Sequence, residues 1–424
     1  MRALVISDTH FGAWTGEDLL REQANLDLLE PHLDVDEVIL LGDLFDFLFG
    51  SITGAVEAAS GLLGLLREKL QGKRVVCLAG NHDHHVVTRD RETGLEVQLA
   101  DRSQRPDRRE VLELDPVYRL LQQRLEGVEV AFSYPTYSFG GVLCTHGQYL
   151  DVHAQRAGSG LDRLLGDALW KIAVGSQHSP TLEDYEAATA LLSELLFTIA
   201  QVPNGTKTER SVFKSFEVLG RALGRATAPR RALEALARSA REGLGTRSTG
   251  IDRSSAGGEA TTYEGARSNE LQRRRRTGAP AGGEASSYLF ARRTHPSDPT
   301  EAAMAAFDQV VTNLGWEEHT STIVFAHTHQ PLDGVYGPSG KCRYWNTGSW
   351  IYEPDLSSER AYMSYLHNAW PGTAVLIDTD RDQPQLLRLR EHLNPLNAMA
   401  AGMPDRDNDR PASLQASPGG GSSE

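Results

Sequence analysis

Five short polar clusters in this chain of 424 residues combine side chains that can do chemistry: Asp8-Thr9-His10, Gly42-Asp43-Leu44-Phe45-Asp46, Gly80-Asn81-His82-Asp83, Thr145-His146-Gly147 and His327-Thr328-His329. Their donors are carboxylates, an amide and imidazoles, with no thiolate among them. Oxygen and imidazole donors favour Mn²⁺, Fe or Zn²⁺ over a soft-metal or structural cysteine site. In an extended Asp-x-His or His-x-His, residues two apart point to the same face, so both can reach one ion. One carboxylate, such as that of Asp43, has two oxygens and can bridge two ions. A pair of ions ~3.5–4 Å apart can hold a hydroxide between them and clamp a phosphoryl group during in-line displacement.

Each cluster follows a short apolar, β-rich run, and these runs alternate with helical patterns, so an α/β core is expected. The clearest runs are Ala3–Ser7, Glu37–Leu41, Arg74–Ala79, Val128–Ser133, Gly141–Thr145, Thr322–Ala326 and Thr373–Asp378, and Gly140-Gly141 reads as a hairpin turn. Ligands of α/β folds gather at the carboxyl ends of strands. Five strand ends can therefore converge on one edge although their residues run from position 8 to position 329.

The alternation breaks between about Asp151 and Ala303. Ser179-Pro180 reads as a helix start, followed by Tyr185, Ala188, Leu192, Leu195, Leu196 and Ile199 at helical spacing and a stop at Pro203-Asn204-Gly205. A second, Arg-rich amphipathic stretch runs from Val212 to Leu244. Residues 245–287 are Gly-, Ser-, Thr- and Arg-rich and read as a mobile loop, and 403–424 read as a disordered tail. The net charge of −14 argues against wholesale polyanion binding. Three scattered cysteines, Cys77, Cys144 and Cys342, read as buried thiols of a reducing cytoplasm. No leader-like segment and no membrane-length apolar run is visible, so a cytoplasmic location is expected.

The order D-x-H, G-D-x-x-D, G-N-H-D, H-G, H-x-H resembles the calcineurin-like metallophosphoesterase family. The resemblance implies a four-layer αββα sandwich, with residues 1–150 and 318–392 as its core and 151–317 as a helical insertion, or cap. It implies that Asp8, His10, Asp43 and His329 hold one divalent ion, and that Asp43, Asn81, His146 and His327 hold a second, Mn²⁺ being the expected metal. It makes His82 the acid that protonates the leaving oxygen, with Asp46 fixing its orientation. Two departures stand out: Ala326 precedes the last cluster where the family usually has Gly, and Gln148 after the fourth cluster supplies no ligand. Asn346-Thr347-Gly348-Ser349-Trp350 resembles the Asn-Pro-Gly-Ser segment of bacterial members and is expected to close a tight turn beside the site.

The implied function is hydrolysis of a phosphomonoester or phosphodiester by a metal-bridging hydroxide, with the insertion selecting the substrate. Protein-phosphatase branches carry G-D-x-x-D-R-G and G-N-H-E, which Phe47 and Asp83 do not match. The lipid A branch usually has Arg in place of His82. A nuclease and a non-catalytic scaffold of the same fold are the alternatives. Nucleic acid is disfavoured because phosphate contacts supply most non-specific affinity and no basic-aromatic surface is legible. Arg273–Arg276 reads as a solvated loop, and the Arg-rich helices could touch a membrane surface. Asp83 is expected to brace its loop through backbone hydrogen bonds. His84 and His85 read as loop or substrate-facing, Asp151 and His153 as a solvated helix start or pocket lining, and His319 as a surface residue.

Overall fold

The computed structural model describes residues 1–13, 17–48, 50–84, 86, 116–154, 180–189, 299–354 and 358–397. Eleven strands among them form two sheets. The first, in the order β11-β10-β1-β2-β3-β4, contains β1 (Arg2–Ile6), β2 (Glu37–Leu41), β3 (Arg74–Leu78), β4 (Glu129–Phe132), β10 (Thr373–Asp378) and β11 (Gln385–Arg388). Strands β1 to β4 run parallel, and β10 closes on β1 in antiparallel register with Val5 opposite Val375. The second sheet, β5-β6-β7-β9-β8, contains β5 (Thr136–Phe139), β6 (Val142–Thr145), β7 (Thr322–Phe325), β8 (Leu332–Tyr336) and β9 (Arg343–Asn346). In it β6, β7 and β9 run parallel.

Period-two alternation divides the core. Ala3, Val5, Ile39, Leu41, Val76 and Leu78 face Tyr137, Phe139, Val142, Cys144, Val324 and Trp345 of the second sheet and form the layer between the sheets. Their strand neighbours Leu4, Ile6, Val38, Leu40, Val75 and Cys77 face outward. There they meet helices α1 (Gln23–Leu29), α2 (Ile52–Ala58), α3 (Ser60–Lys69) and α4 (Pro116–Arg124). These strands are buried on both faces, so they read as continuous apolar runs. The chain is a mixed α/β sandwich of two sheets with flanking helices.

After the short helix α5 (Asp151–Ala154), the described chain resumes at Pro180 and is helical over 182–189, here α6. Ser179, the expected helix cap, lies outside the described residues. The reciprocal cap is instead made by Thr181, whose Oγ1 accepts from the Asp184 amide while Asp184 Oδ2 accepts from the Thr181 amide. Helix α7 (Pro299–Leu314) covers the outer face of the second sheet. Phe307 stacks on Phe325 at 4.1 Å and meets Tyr344 edge-on at 5.4 Å, and Asp308 accepts a 2.6 Å hydrogen bond from the Tyr344 hydroxyl. Although it falls within the span read as insertion, this helix therefore serves as an outer layer. Helix α8 (Glu359–Asn368) precedes β10.

Strands β5, β8, β9 and β11 are not among the runs picked out above. Each is four or five residues long; β8 carries Gly334 and shifts register between Leu332 and Val335, which breaks its alternation. Gly140 and Gly141 both have positive φ, 59° and 83°, and join β5 to β6 as a two-residue hairpin. Residues 212–244, 245–287 and 403–424 lie outside the described residues. Among the described residues no helix is long and apolar enough to cross a membrane. Phe307 is fully buried, so Phe307→Ala should cost ~3–5 kcal/mol of stability, read from the denaturant midpoint at unchanged slope.

Candidate metal centre

The parallel strands of both sheets end on a common edge, and the five clusters meet there. Asp8, His10, Asp43, Asp46, Asn81, His82, His146, His327 and His329 are all buried. Three groups have ligand atoms within 4.8 Å of one another: Asp8, His10 and His329; Asp43, His146 and His327; and His10, Asp46 and His82. His329 Nε2 lies 3.2 Å from Asp8 Oδ1, and His10 Nε2 lies 3.8 Å from both Asp8 Oδ1 and Asp43 Oδ2. On the other side of Asp43, His146 Nε2 is 3.2 Å from Oδ2 and 3.3 Å from Asn81 Oδ1. Asp43 thus stands between the first two groups.

The backbone is bent to make this possible. Among the described residues, the non-glycine positions with positive φ are Asp8, His10, Asp43, His327 and His329, between 47° and 70°. Left-handed backbone is sparsely populated by such residues, and it concentrates where function over-determines it. Gly80 is required by proximity: a Cβ there would lie 2.2 Å from Asp43 Oδ1 and 2.6 Å from His146 Nε2. Gly42, at φ +84°, would put a Cβ 2.5 Å from His146 Nδ1. The glycines of the second and third clusters are therefore spaces that the neighbouring ligands fill.

Asp83 ties those two clusters together. Its Oδ1 accepts from the amides of Gly80 at 2.6 Å and Asp43 at 3.3 Å, and its Oδ2 from Leu44 at 2.9 Å. Burial and the nearby Asp43 charge push it up to about 6 against these bonds. His82 Nδ1 donates to Asp46 Oδ1 at 3.0 Å, its amide donates to Asp43 Oδ1 at 2.7 Å, and its ring meets His10 edge-on at 4.5 Å. Asn346 Oδ1 accepts from the Gly348 amide, closing the turn expected there, and Thr347 Oγ1 touches Ser7 Oγ, which donates to Asp8 Oδ2.

The electrostatics suit cations. The basic groups within 4 Å of Asp8 and Asp43 are imidazoles, and Asp8 Oδ1 is buried without a hydrogen bond. Burial opposes ionisation of both carboxylates, yet the surrounding histidines hold Asp8 and Asp43 well below the usual range. Burial also opposes charge on the imidazoles. For His10 the adjacent Asp8 carboxylate and the Asp43 and Asp46 charges outweigh it and push the ring up to about 10; for His146 the Asp43 charge and bond do so, to about 9. His329 is pushed down by burial and by His10, against the pull of Asp8. His10 Nε2 and His329 Nε2 lie 3.2 Å apart, both close to Asp8 Oδ1. The Leu41 carbonyl can only accept, which puts a proton on His146 Nδ1 and leaves Nε2 facing Asp43. Buried anions beside converging imidazole nitrogens are a donor set that a divalent ion fits.

Other residues singled out in the sequence fall in varied places. His319 is exposed, His85 and Arg273–Arg276 lie outside the described residues, and the three cysteines are buried and unpaired. Asp151, against the expected solvated helix start, is buried, with Oδ2 3.1 Å from His327 Nε2. His84 is buried too: Nε2 is 3.1 Å from Glu186 Oε2 and 3.2 Å from the Tyr134 hydroxyl. Glu186, fully buried on α6, also accepts from the hydroxyls of Tyr134 and Tyr149. These donors, His84 foremost, hold Glu186 below its ordinary range against burial. The adjacent Tyr185 stacks on Tyr149 and shares its hydroxyl with His153 Nε2 at 2.7 Å and Asn313 Nδ2 at 2.9 Å. No spacing rule singles out Glu186, because its partners lie 37 to 102 residues away.

Residues 1–200 match the family model described as calcineurin-like phosphoesterase. No curated protein matches the chain. Without metal, the raised imidazoles give stability that is complete below their ordinary value of 6.5 and is lost as pH rises through about 9 and 10. Over that window the folded state holds up to about two more protons than the unfolded one. Chelator-treated protein should therefore lose stability continuously from pH 6.5 to 10 in denaturant titrations, and His10→Gln should flatten the slope.

Proposed function

The chain belongs, through residues 1–200, to the calcineurin-like phosphoesterase family, and on that premise we propose that it is a two-metal phosphohydrolase that cleaves a phosphomonoester or phosphodiester by in-line displacement. The observation that carries this reading is the position of Asp43 between two buried donor groups, the Asp8, His10, His329 group and the His146, His327 group. Asp8, His10, Asp43 and His329 would hold one ion, and Asp43, Asn81, His146 and His327 the other. Two divalent ions bound there, Mn²⁺ by preference, supply Lewis-acid stabilisation of the phosphoryl oxygens and lower the pKa of the attacking water.

The chain's own residues do the rest. His82 is the general acid: its Nδ1–H, held by the Asp46 carboxylate, fixes the ring, and the imidazolium gives its Nε2 proton to the leaving oxygen. Asp83 keeps the loops bearing Asp43 and His82 at one separation. The insertion, rooted on the core through Tyr185 and Glu186, selects the substrate. Three buried thiols support a reducing, cytoplasmic setting.

The test is hydrolysis of a chromogenic phosphodiester and its phosphomonoester with Mn²⁺, with Asn81→Ala as the blank. His82→Ala should lower kcat about 10²–10⁴-fold while the protein still binds two ions. Asp43→Asn should lose metal and activity together. Full activity of either variant overturns the assignment. A wild type that purifies and titrates without stoichiometric metal points instead to a scaffold.

A further inference from the structure

Asp151 is the first residue of α5, five positions beyond His146, and follows the turn Gln148–Leu150 directly. Its carboxylate is buried, and its closest ionic neighbour is His327, with Oδ2 3.1 Å from the ring Nε2. His327 Nε2 is buried, and among the described residues no other group makes a hydrogen bond to it. Asp43, His146 and His327 bring ligand atoms within 4.8 Å of one another, and Asp151 is not part of that group. It lies beside His327 at the margin of that donor group.

A carboxylate facing a ring nitrogen selects the tautomer with a proton on that nitrogen. For His327 that tautomer carries Nε2–H toward Asp151 and leaves Nδ1 as the lone pair for an ion. Metal-ligating histidines generally donate their second N–H to a carboxylate or carbonyl, which fixes the ring and raises its basicity. His146 has this arrangement already, with Nδ1 on the Leu41 carbonyl. We propose that Asp151 is the corresponding positioning residue for His327, orienting that imidazole for the ion it shares with Asp43, Asn81 and His146. The proposal rests on the two-metal reading. It also gives one short loop two roles at the same ion: His146 as ligand and Asp151 as the brace for the ligand opposite.

The test is Mn²⁺ binding to chelator-treated full-length protein by calorimetry. In Asp151→Ala, affinity at one of the two sites should fall about 10–100-fold while the other site is unchanged. Asp151→Asn keeps an acceptor oxygen and should lose less than the alanine variant. Thermal unfolding of the metal-free variants checks the fold, and if the alanine variant is unfolded the asparagine variant carries the test against wild type. Wild-type affinity at both sites in the folded variants, or an equal loss at both, overturns the proposal. His327→Ala serves as the reference: if it binds two Mn²⁺ as wild type does, the ligand assignment itself fails, whatever Asp151 does.

Discussion

Two carboxylates, Asp8 and Asp43, are buried at the edge of a β-sandwich with imidazoles as their close cationic neighbours. Burying a charge costs several kcal/mol unless it is paired and hydrogen-bonded. Here the pairing is made by groups that arrive from β1, β2, β6 and β7, so the sandwich has to bring those strand ends within a few ångströms. The parallel direction of β1–β3 and of β6, β7 and β9 does this by placing their carboxyl ends on one side.

Meeting that requirement distorts the chain locally. Five of the converging aspartates and histidines adopt left-handed backbone, and Gly42 and Gly80 make room for His146 and Asp43. Such strain of order 1–3 kcal/mol per residue persists only where surrounding structure over-determines it. Asp83 is part of that surrounding structure, because one buried carboxylate satisfies amides from two loops. Glu186 is another part. It reaches from α6, far along the chain, to His84, Tyr134 and Tyr149, which lie beside the third and fourth clusters, and so joins that helix to the loops that bear them. Both are costly unless complete, since a half-satisfied buried carboxylate destabilises its own site.

The chemical character of the centre was legible without coordinates. Five polar clusters, each after an apolar run of strand length, announced strand-end donors of one class, and Gly140-Gly141 announced its hairpin. Short or irregular strands such as β8, with Gly334 inside it, left no period to read. The role of Asp83 as a backbone tie was visible as an Asp in a tight loop. Asp151 and Glu186 were not, since an acidic residue on a helix reads as solvated until a partner from elsewhere covers it.

Sequence by itself thus determined the donor types, their order and the α/β alternation, because residue chemistry and period-two burial are local properties. Tertiary structure decided which donors share Asp43, which glycines are filled by neighbouring ligands, and that Asp151 faces His327 while Glu186 faces His84. Those outcomes depend on distances between residues remote in the chain, and only the packing of two sheets sets them.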